Sequence, residues 1–140
     1  MSALLHPATS PAPGAPSVQQ MGAAGLRAFA RLAEAWGLSV DEQITLLGQP
    51  ARSTFFAWRK APESAKLSRD TLERLSNLLG IYKSLQILLP DERADVWVRQ
   101  PNTAAPFGGR SALSRMLAGN VSDLFAVRRY LDSVRGGGWS

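Results

Sequence analysis

One stretch near the middle of the chain collects side chains that could contact nucleic acid. Residues 51–60 read Ala-Arg-Ser-Thr-Phe-Phe-Ala-Trp-Arg-Lys, and they are predicted to form a short helix. Guanidinium groups donate paired hydrogen bonds to guanine, while hydroxyl and ammonium groups contact phosphates. Only one of two adjacent phenylalanines faces the core easily, so the other would be exposed unless it meets DNA or a partner. The candidate DNA-binding residues are Arg52, Ser53, Thr54, Phe56, Arg59 and Lys60, with Arg52 best placed for a bidentate guanine contact.

The charge distribution favours the same interpretation. The chain carries a net charge of +5, and residues 52–83 hold seven basic against three acidic residues. Basic excess is typical of proteins that bind a phosphate backbone. The alternative is an ordinary helical hairpin whose basic residues are only a solvated surface.

The sequence offers few residues for catalysis or metal binding. The single histidine is His6, and the 140 residues include no cysteine. Histidine-dependent nucleophilic catalysis and thiolate metal sites are therefore not expected, and we predict no metal, no cofactor and no enzymatic activity. The apolar runs are shorter than the roughly 20 residues that span a bilayer. Residues 1–17 lack the positive charge of a secretory signal, so we expect no membrane association and a cytoplasmic location.

The hydrophobic periodicity predicts an all-α fold. Gly48-Gln49-Pro50 separates two short helices in the pattern of a helix-turn-helix motif, whose second helix enters the major groove. Phe55 and Trp58 would anchor that second helix in the core. Gly80 is expected to end one helix before another begins. The predicted helices cover 20–36, 40–47, 51–60, 69–79, 81–89, 112–118 and 121–134. Ser39, Ser68 and Ser111 are expected to cap three of them, and Glu42 follows Ser39 at the spacing of a capping box.

The chain divides by composition and pattern into three parts. Residues 1–17 are rich in proline and alanine and contain no charged side chain, which predicts a flexible tail. The helix-turn-helix domain is assigned to residues 18–83. Residues 84–140 are predicted to form a small helical C-terminal domain, which includes a loop at 98–110.

The order of several motifs resembles the antitoxins of the Xre/MbcA/ParS family. The resemblance covers roughly residues 25–139, and its order and spacing are more specific than any single motif. The motifs that carry it are Trp58-Arg59-Lys60, Leu67-Ser68-Arg69-Asp70-Thr71-Leu72-Glu73-Arg74-Leu75, Leu79-Gly80-Ile81-Tyr82-Lys83-Ser84-Leu85, Trp97, Pro101-Asn102, Pro106-Phe107-Gly108-Gly109-Arg110-Ser111, Val127-Arg128-Arg129-Tyr130-Leu131-Asp132 and Arg135-Gly136-Gly137.

The resemblance implies an Xre-like helix-turn-helix domain followed by a toxin-binding domain. The implied partner is a RES-domain toxin that depletes NAD⁺, and the implied mechanism is coverage of its active-site entrance. The antitoxin would also repress its own operon by binding operator DNA, as a homodimer within a larger complex. The family usually has two glycines before a terminal tryptophan, whereas this chain has three. The residues assigned by resemblance to toxin binding are Pro101, Asn102, Phe107, Gly108, Gly109, Arg135, Gly136, Gly137, Gly138 and Trp139.

Two other functions remain open from the sequence. The chain could be a stand-alone Xre-like transcriptional regulator without a toxin, or a phage or plasmid interaction protein that binds no DNA. Individual residues also have simpler interpretations. The Gly-Trp end could be a frayed terminus, and Pro101, Asn102 and Phe107 could only shape a loop that packs on the core.

Overall fold

The computed structural model describes residues 17–136 of the chain, and within them every regular element is helical, as predicted. Short 3₁₀ turns occur at Pro62–Ser64 and Trp97–Arg99. An isolated antiparallel bridge joins Pro101 to Ser111. The α helices are α1 (Val18–Ala35), α2 (Val40–Leu46), α3 (Arg52–Lys60), α4 (Arg69–Leu88), α5 (Arg93–Val96), α6 (Ala112–Met116) and α7 (Val121–Arg135).

Serine side chains begin three of these helices in the way the sequence predicts. Ser39, Ser68 and Ser111 each accept a hydrogen bond from the backbone N–H three residues later, at 3.0–3.1 Å. At α2 the Glu42 carboxylate also accepts from the Ser39 backbone N–H at 2.9 Å, which completes the predicted capping box. These bonds satisfy backbone donors that have no partner inside the helix.

The expectation that Gly80 ends a helix is wrong. Helix α4 runs without interruption through this residue, so the predicted helices 69–79 and 81–89 are one element of 20 residues. Glycine in a helix interior costs about 1 kcal/mol relative to alanine. Burial outweighs that cost here, because Leu78 and Ile81 are fully buried on either side of the glycine and Leu85 is 1% exposed.

The close approach of α7 explains why a glycine occupies this position in the interior of α4. The guanidinium of Arg128 crosses α4 at this point, and its Nη1 donates to the carbonyl oxygen of Ser76 at 3.0 Å. A Cβ atom at residue 80 would lie only 2.6 Å from the Cζ and Nε atoms of Arg128. Gly80 therefore makes room for the side chain of Arg128 on α4.

Helix α4 lies at the centre of the fold. It packs against α1 on the N-terminal side and against α7 on the C-terminal side. Buried side chains from Leu26 to Leu131 form one continuous hydrophobic cluster. The predicted boundary between residues 83 and 84 therefore falls inside a helix that contributes to one shared core.

The helices of the described part of the chain are all too short or too polar to cross a membrane.

Candidate functional site

Two side chains on one face hold helix α3 against the core. Phe55 is 3% exposed, and Trp58 is half-buried against the same hydrophobic cluster. Their burial confirms the prediction that they anchor this helix. With 100° of rotation per residue, Ser53, Phe56 and Lys60 lie on the opposite, outward face.

The turn between α2 and α3 rests on the first turns of α4. Gly48 has a φ of +96°, a conformation that favours glycine. A Cβ atom there would lie 2.9 Å from Oδ2 of Asp70 and 3.0 Å from Nε of Arg74. These two atoms form an ion pair of 2.8 Å, and the side chain of Arg74 is 10% exposed. The Asp70 side chain of this pair is 53% exposed, so only its arginine is buried. The pair on α4 therefore limits how the turn can pack, and the turn leads directly into α3.

All six predicted DNA-binding residues are exposed, and Phe56 is 43% exposed. Helical rotation places Arg52 and Arg59 on one flank of the outward face and Thr54 on the other. Arg59 borders a cleft of about 290 Å³ between α1 and α3, whose lining also includes Glu34. The six residues thus share one exposed helix, but they point in three directions.

Arg52 has partners that its position in the sequence does not indicate. Its Nη1 donates to Oδ1 of Asp41 in the first turn of α2, at 2.8 Å. Its guanidinium carbon lies 5.9 Å from the centroid of the Phe56 ring. Asp41 is not among the predicted site residues, because neighbours across a turn cannot be identified from helical periodicity.

The second candidate surface is a loop that closes on itself. The backbone N–H of Asn102 donates to the carbonyl oxygen of Arg110 at 3.0 Å, and that of Gly109 donates to the carbonyl oxygen of Asn102 at 2.8 Å. Gly108 and Gly109 have φ values of +57° and +90°. Pro101, Gly108 and Gly109 are exposed, and Asn102 is half-buried.

Phe107 faces the inside of this loop. The residue is 4% exposed, and its ring lies edge-on to Trp97 and Tyr130, with centroid distances of 5.8 Å and 5.2 Å. The side chain of Asn102 also points to the loop itself, since its Oδ1 accepts from the N–H of Ala104 at 2.9 Å. Of the loop residues assigned to toxin binding, Phe107 and Asn102 shape the loop, whereas Pro101 and the two glycines face solvent.

Arg115 fixes the far side of the loop to α6 and α7. Its Nη1 donates to the carbonyl oxygen of Pro106, and its Nε donates to Oδ1 of Asp123, both at 2.8 Å. Burial alone would raise the pKa of Asp123, but hydrogen bonds from Arg115 and Asn120 and the charge of Arg115 outweigh it and lower this pKa below 3.8. The ionised carboxylate is therefore the form that the fold stabilises.

The last predicted toxin-binding residues lie at and beyond the end of α7. Arg135 is exposed and donates from Nη1 to Oγ of Ser84 on α4 at 3.1 Å. Gly136 follows as the C-terminal cap of the helix. Gly137, Gly138 and Trp139 lie outside the described residues.

Arg99 connects the segment before the loop to the N-terminal helices. Its Nε and Nη2 donate to the carbonyl oxygens of Trp36 and Gly37, at 3.1 Å and 2.9 Å. Its Nη2 also donates to Oε1 of Glu42 at 3.1 Å. One side chain near the loop thus holds the end of α1 and the beginning of α2. No residues between 17 and 136 form a cluster of His, Cys, Asp or Glu that could hold a metal ion.

Comparisons with known proteins match both parts of the chain. The profile of the antitoxin Xre-like helix-turn-helix domain matches residues 17–80, and that of the antitoxin Xre/MbcA/ParS C-terminal toxin-binding domain matches residues 84–137. A protein of Sinorhizobium fredii (strain NBRC 101917 / NGR234), named "Uncharacterized protein y4oB", is 55% identical over 115 residues. The aligned part covers 81% of this chain and 86% of that protein.

The lowered pKa of Asp123 predicts a defined pH dependence. Unfolded chains bind the proton near the ordinary pKa of 3.8, and the native state binds it only at lower pH. The stability contributed by the carboxylate is thus fully present above that value and is lost as pH falls through the native pKa. Asp123→Asn should lower the free energy of unfolding by about 1.5 kcal/mol at pH 7, since hydrogen bonds to charged groups contribute about that much.

Urea unfolding of both proteins between pH 7 and pH 2.5 measures the difference. We expect the difference between Asp123→Asn and the unmodified chain to shrink below about pH 4. Glu92→Gln is the matched control, because this carboxylate is exposed and forms no capping hydrogen bond or ion pair among the described residues. A difference that stays constant across the pH range would contradict the role of the ionised carboxylate.

Proposed function

This chain belongs to the family of antitoxins that join an Xre-like helix-turn-helix domain to an Xre/MbcA/ParS toxin-binding domain, and we propose that it neutralises a RES-domain toxin by covering the entrance of the toxin's active site. The family is one of DNA-binding and toxin-binding proteins, not enzymes. Its C-terminal domain implies a toxin as partner, and its helix-turn-helix domain implies DNA. The observation that carries the proposal is the toxin-binding match over residues 84–137, which includes the exposed loop and the end of α7.

The geometry of the C-terminal part supports an occluding surface. Tyr130 on α7 contacts Phe107 in the loop, so the helix and the loop are neighbours. From Tyr130 to Gly136 the helix rises only about 9 Å. The chain that follows Gly136 therefore starts close to the loop, and both can contact one partner. In this proposal the C-terminal domain comprises residues 84–140, and Gly137, Gly138 and Trp139 contact the toxin together with the loop.

The loop is also held in place before any partner binds. Paired backbone bonds close it, Phe107 anchors it from inside, and Arg115 fixes its far side. A surface that is already ordered loses less conformational entropy on binding. Among residues 17–136, no atom outside the loop lies within 4 Å of a Cβ position at Gly108 or Gly109, so a partner could approach the backbone there closely.

The same chain would repress its own operon through α3. Residues 18–83 present Arg52, Phe56 and Lys60 on one exposed helix, as major-groove recognition requires. A homodimer would place two such helices on the two halves of a palindromic operator. The ordered contacts of Arg99 support a rigid connection between this part and the toxin-binding part.

Removal of Gly137–Ser140 tests the neutralising half of the proposal. The truncated chain keeps α7 complete, so it should fold and bind promoter DNA as before. A buried tryptophan is often a binding hot spot that contributes 2 kcal/mol or more, which predicts at least a roughly thirtyfold higher concentration for half-inhibition. The measurement is NAD⁺ consumption by the purified RES-domain protein encoded in the same operon. Trp139→Ala is the minimal variant. Full inhibition by the truncated chain would refute occlusion by this end.

Replacement of Arg59 and Lys60 by alanine tests the DNA-binding half. Each lost phosphate contact should weaken binding to the promoter of the operon. It should also reduce, by about one unit, the slope of the logarithm of the binding constant against the logarithm of the salt concentration. Inhibition of the toxin should not change. Arg93→Ala removes an exposed charge from the C-terminal part and is the matched control. Unchanged affinity and salt slope in the double variant would contradict the assignment of α3 as the DNA-contacting helix.

A further inference from the structure

The guanidinium of Arg52 is held from two sides. Asp41, at the start of α2, accepts a hydrogen bond from its Nη1 at 2.8 Å. On the other side lies the ring of Phe56, with a distance of 5.9 Å from the guanidinium carbon to the ring centroid. That ring packs edge-on against the buried ring of Phe55, 5.3 Å away. The guanidinium of Arg52 is thus linked to the hydrophobic core through the rings of Phe56 and Phe55. An ion pair with Asp41 links it to α2.

The position of Asp41 needs an explanation, because a carboxylate there opposes DNA binding. Its side chain is 85% exposed and lies beside α3. A negative charge next to a phosphate backbone weakens binding to any DNA sequence. An ion pair between two exposed side chains also adds little to stability. An acidic residue in the first turn of a helix is favoured by the helix dipole, but Glu42 already lies in that turn of α2 and completes its capping box. The dipole therefore does not account for the pairing of Asp41 with Arg52 across the turn.

We propose that Asp41 is a positioning residue that makes Arg52 read a base instead of a phosphate. Contacts to phosphates carry no sequence information, whereas contacts to base edges do. A long arginine side chain without a partner can swing to the nearest phosphate. With Nη1 occupied by Asp41 and the ring of Phe56 beneath the guanidinium, the Nη2 and Nε donors stay available for a guanine edge. The carboxylate lowers total affinity and raises selectivity.

This inference rests on the proposed operator recognition by α3, and one substitution separates it from simple charge repulsion. Asp41→Asn removes the negative charge but keeps the size of the side chain. The probes are a duplex from the promoter of the chain's own operon and a scrambled duplex of the same length and composition. We expect Asp41→Asn to bind the scrambled duplex more tightly and to lose about fivefold of the affinity ratio between the two, the lower end of what one bidentate base contact supplies.

Two controls make the readout specific. Glu34→Gln removes an exposed carboxylate that pairs with no cation among residues 17–136, and its affinity ratio should equal that of the unmodified chain. In an Arg52→Ala background, the ratio should already be low and Asp41→Asn should not change it further. The helix dipole favours the exposed charge of Asp41 by at most about 1 kcal/mol, so the thermal unfolding midpoint of each variant should stay within about 5 °C of that of the unmodified chain.

Each remaining outcome overturns the inference. If Asp41→Asn strengthens binding to both duplexes by the same factor, the carboxylate only repels phosphates. If its effect on the ratio persists without Arg52, Asp41 acts through another group. If the unmodified full-length chain does not distinguish the two duplexes at all, operator recognition itself is wrong and the role of Asp41 falls with it.

Discussion

Two long helices share α4 as a packing partner, and the other features of this protein depend on that arrangement. Helix α1 covers one side of α4 and helix α7 covers another, and Leu78 and Ile81 are fully buried between them. The approach of α7 is close because Gly80 leaves room for the guanidinium of Arg128. A Cβ atom at residue 80 would displace that guanidinium, so the hydrogen bond of Arg128 to Ser76 depends on the glycine.

The elements expected to contact partners are short and depend on this frame. Helix α2 has seven residues and α3 has nine, lengths at which an isolated helix is not stable in water. Tertiary packing stabilises α3 instead, through the burial of Phe55 and the packing of the Gly48 turn against the Asp70–Arg74 ion pair. The loop after Pro101 depends in the same way on the ring of Phe107 and on Arg115. Exposed residues can thus contact DNA or toxin while buried neighbours determine where they point.

Local signals in the sequence predict much of the fold. Serine caps, the turn at Gly48 and the burial of Phe55 all follow from spacing within a few residues, and the structure confirms them. The same local rules fail at Gly80, because the sequence does not distinguish a glycine that ends a helix from a glycine that packs against a neighbouring helix. Motif resemblance places Phe107 in the toxin-binding region, yet its ring is directed by two aromatic partners 10 and 23 residues away. The pairing of Arg52 with Asp41 across the turn is likewise a tertiary contact, which hydrophobic periodicity cannot predict.

Native-state hydrogen exchange of the amides of α4 tests the shared helix most directly. If one cooperative unit supports both surfaces, the amides of Leu78 and Leu85 should exchange with the same free energy of opening. That value should equal the free energy of global unfolding to within about 0.5 kcal/mol. An amide of Leu85 that opens at a free energy lower by more than about 1 kcal/mol would show that the C-terminal half unfolds by itself. Such a result would contradict the central role assigned to α4.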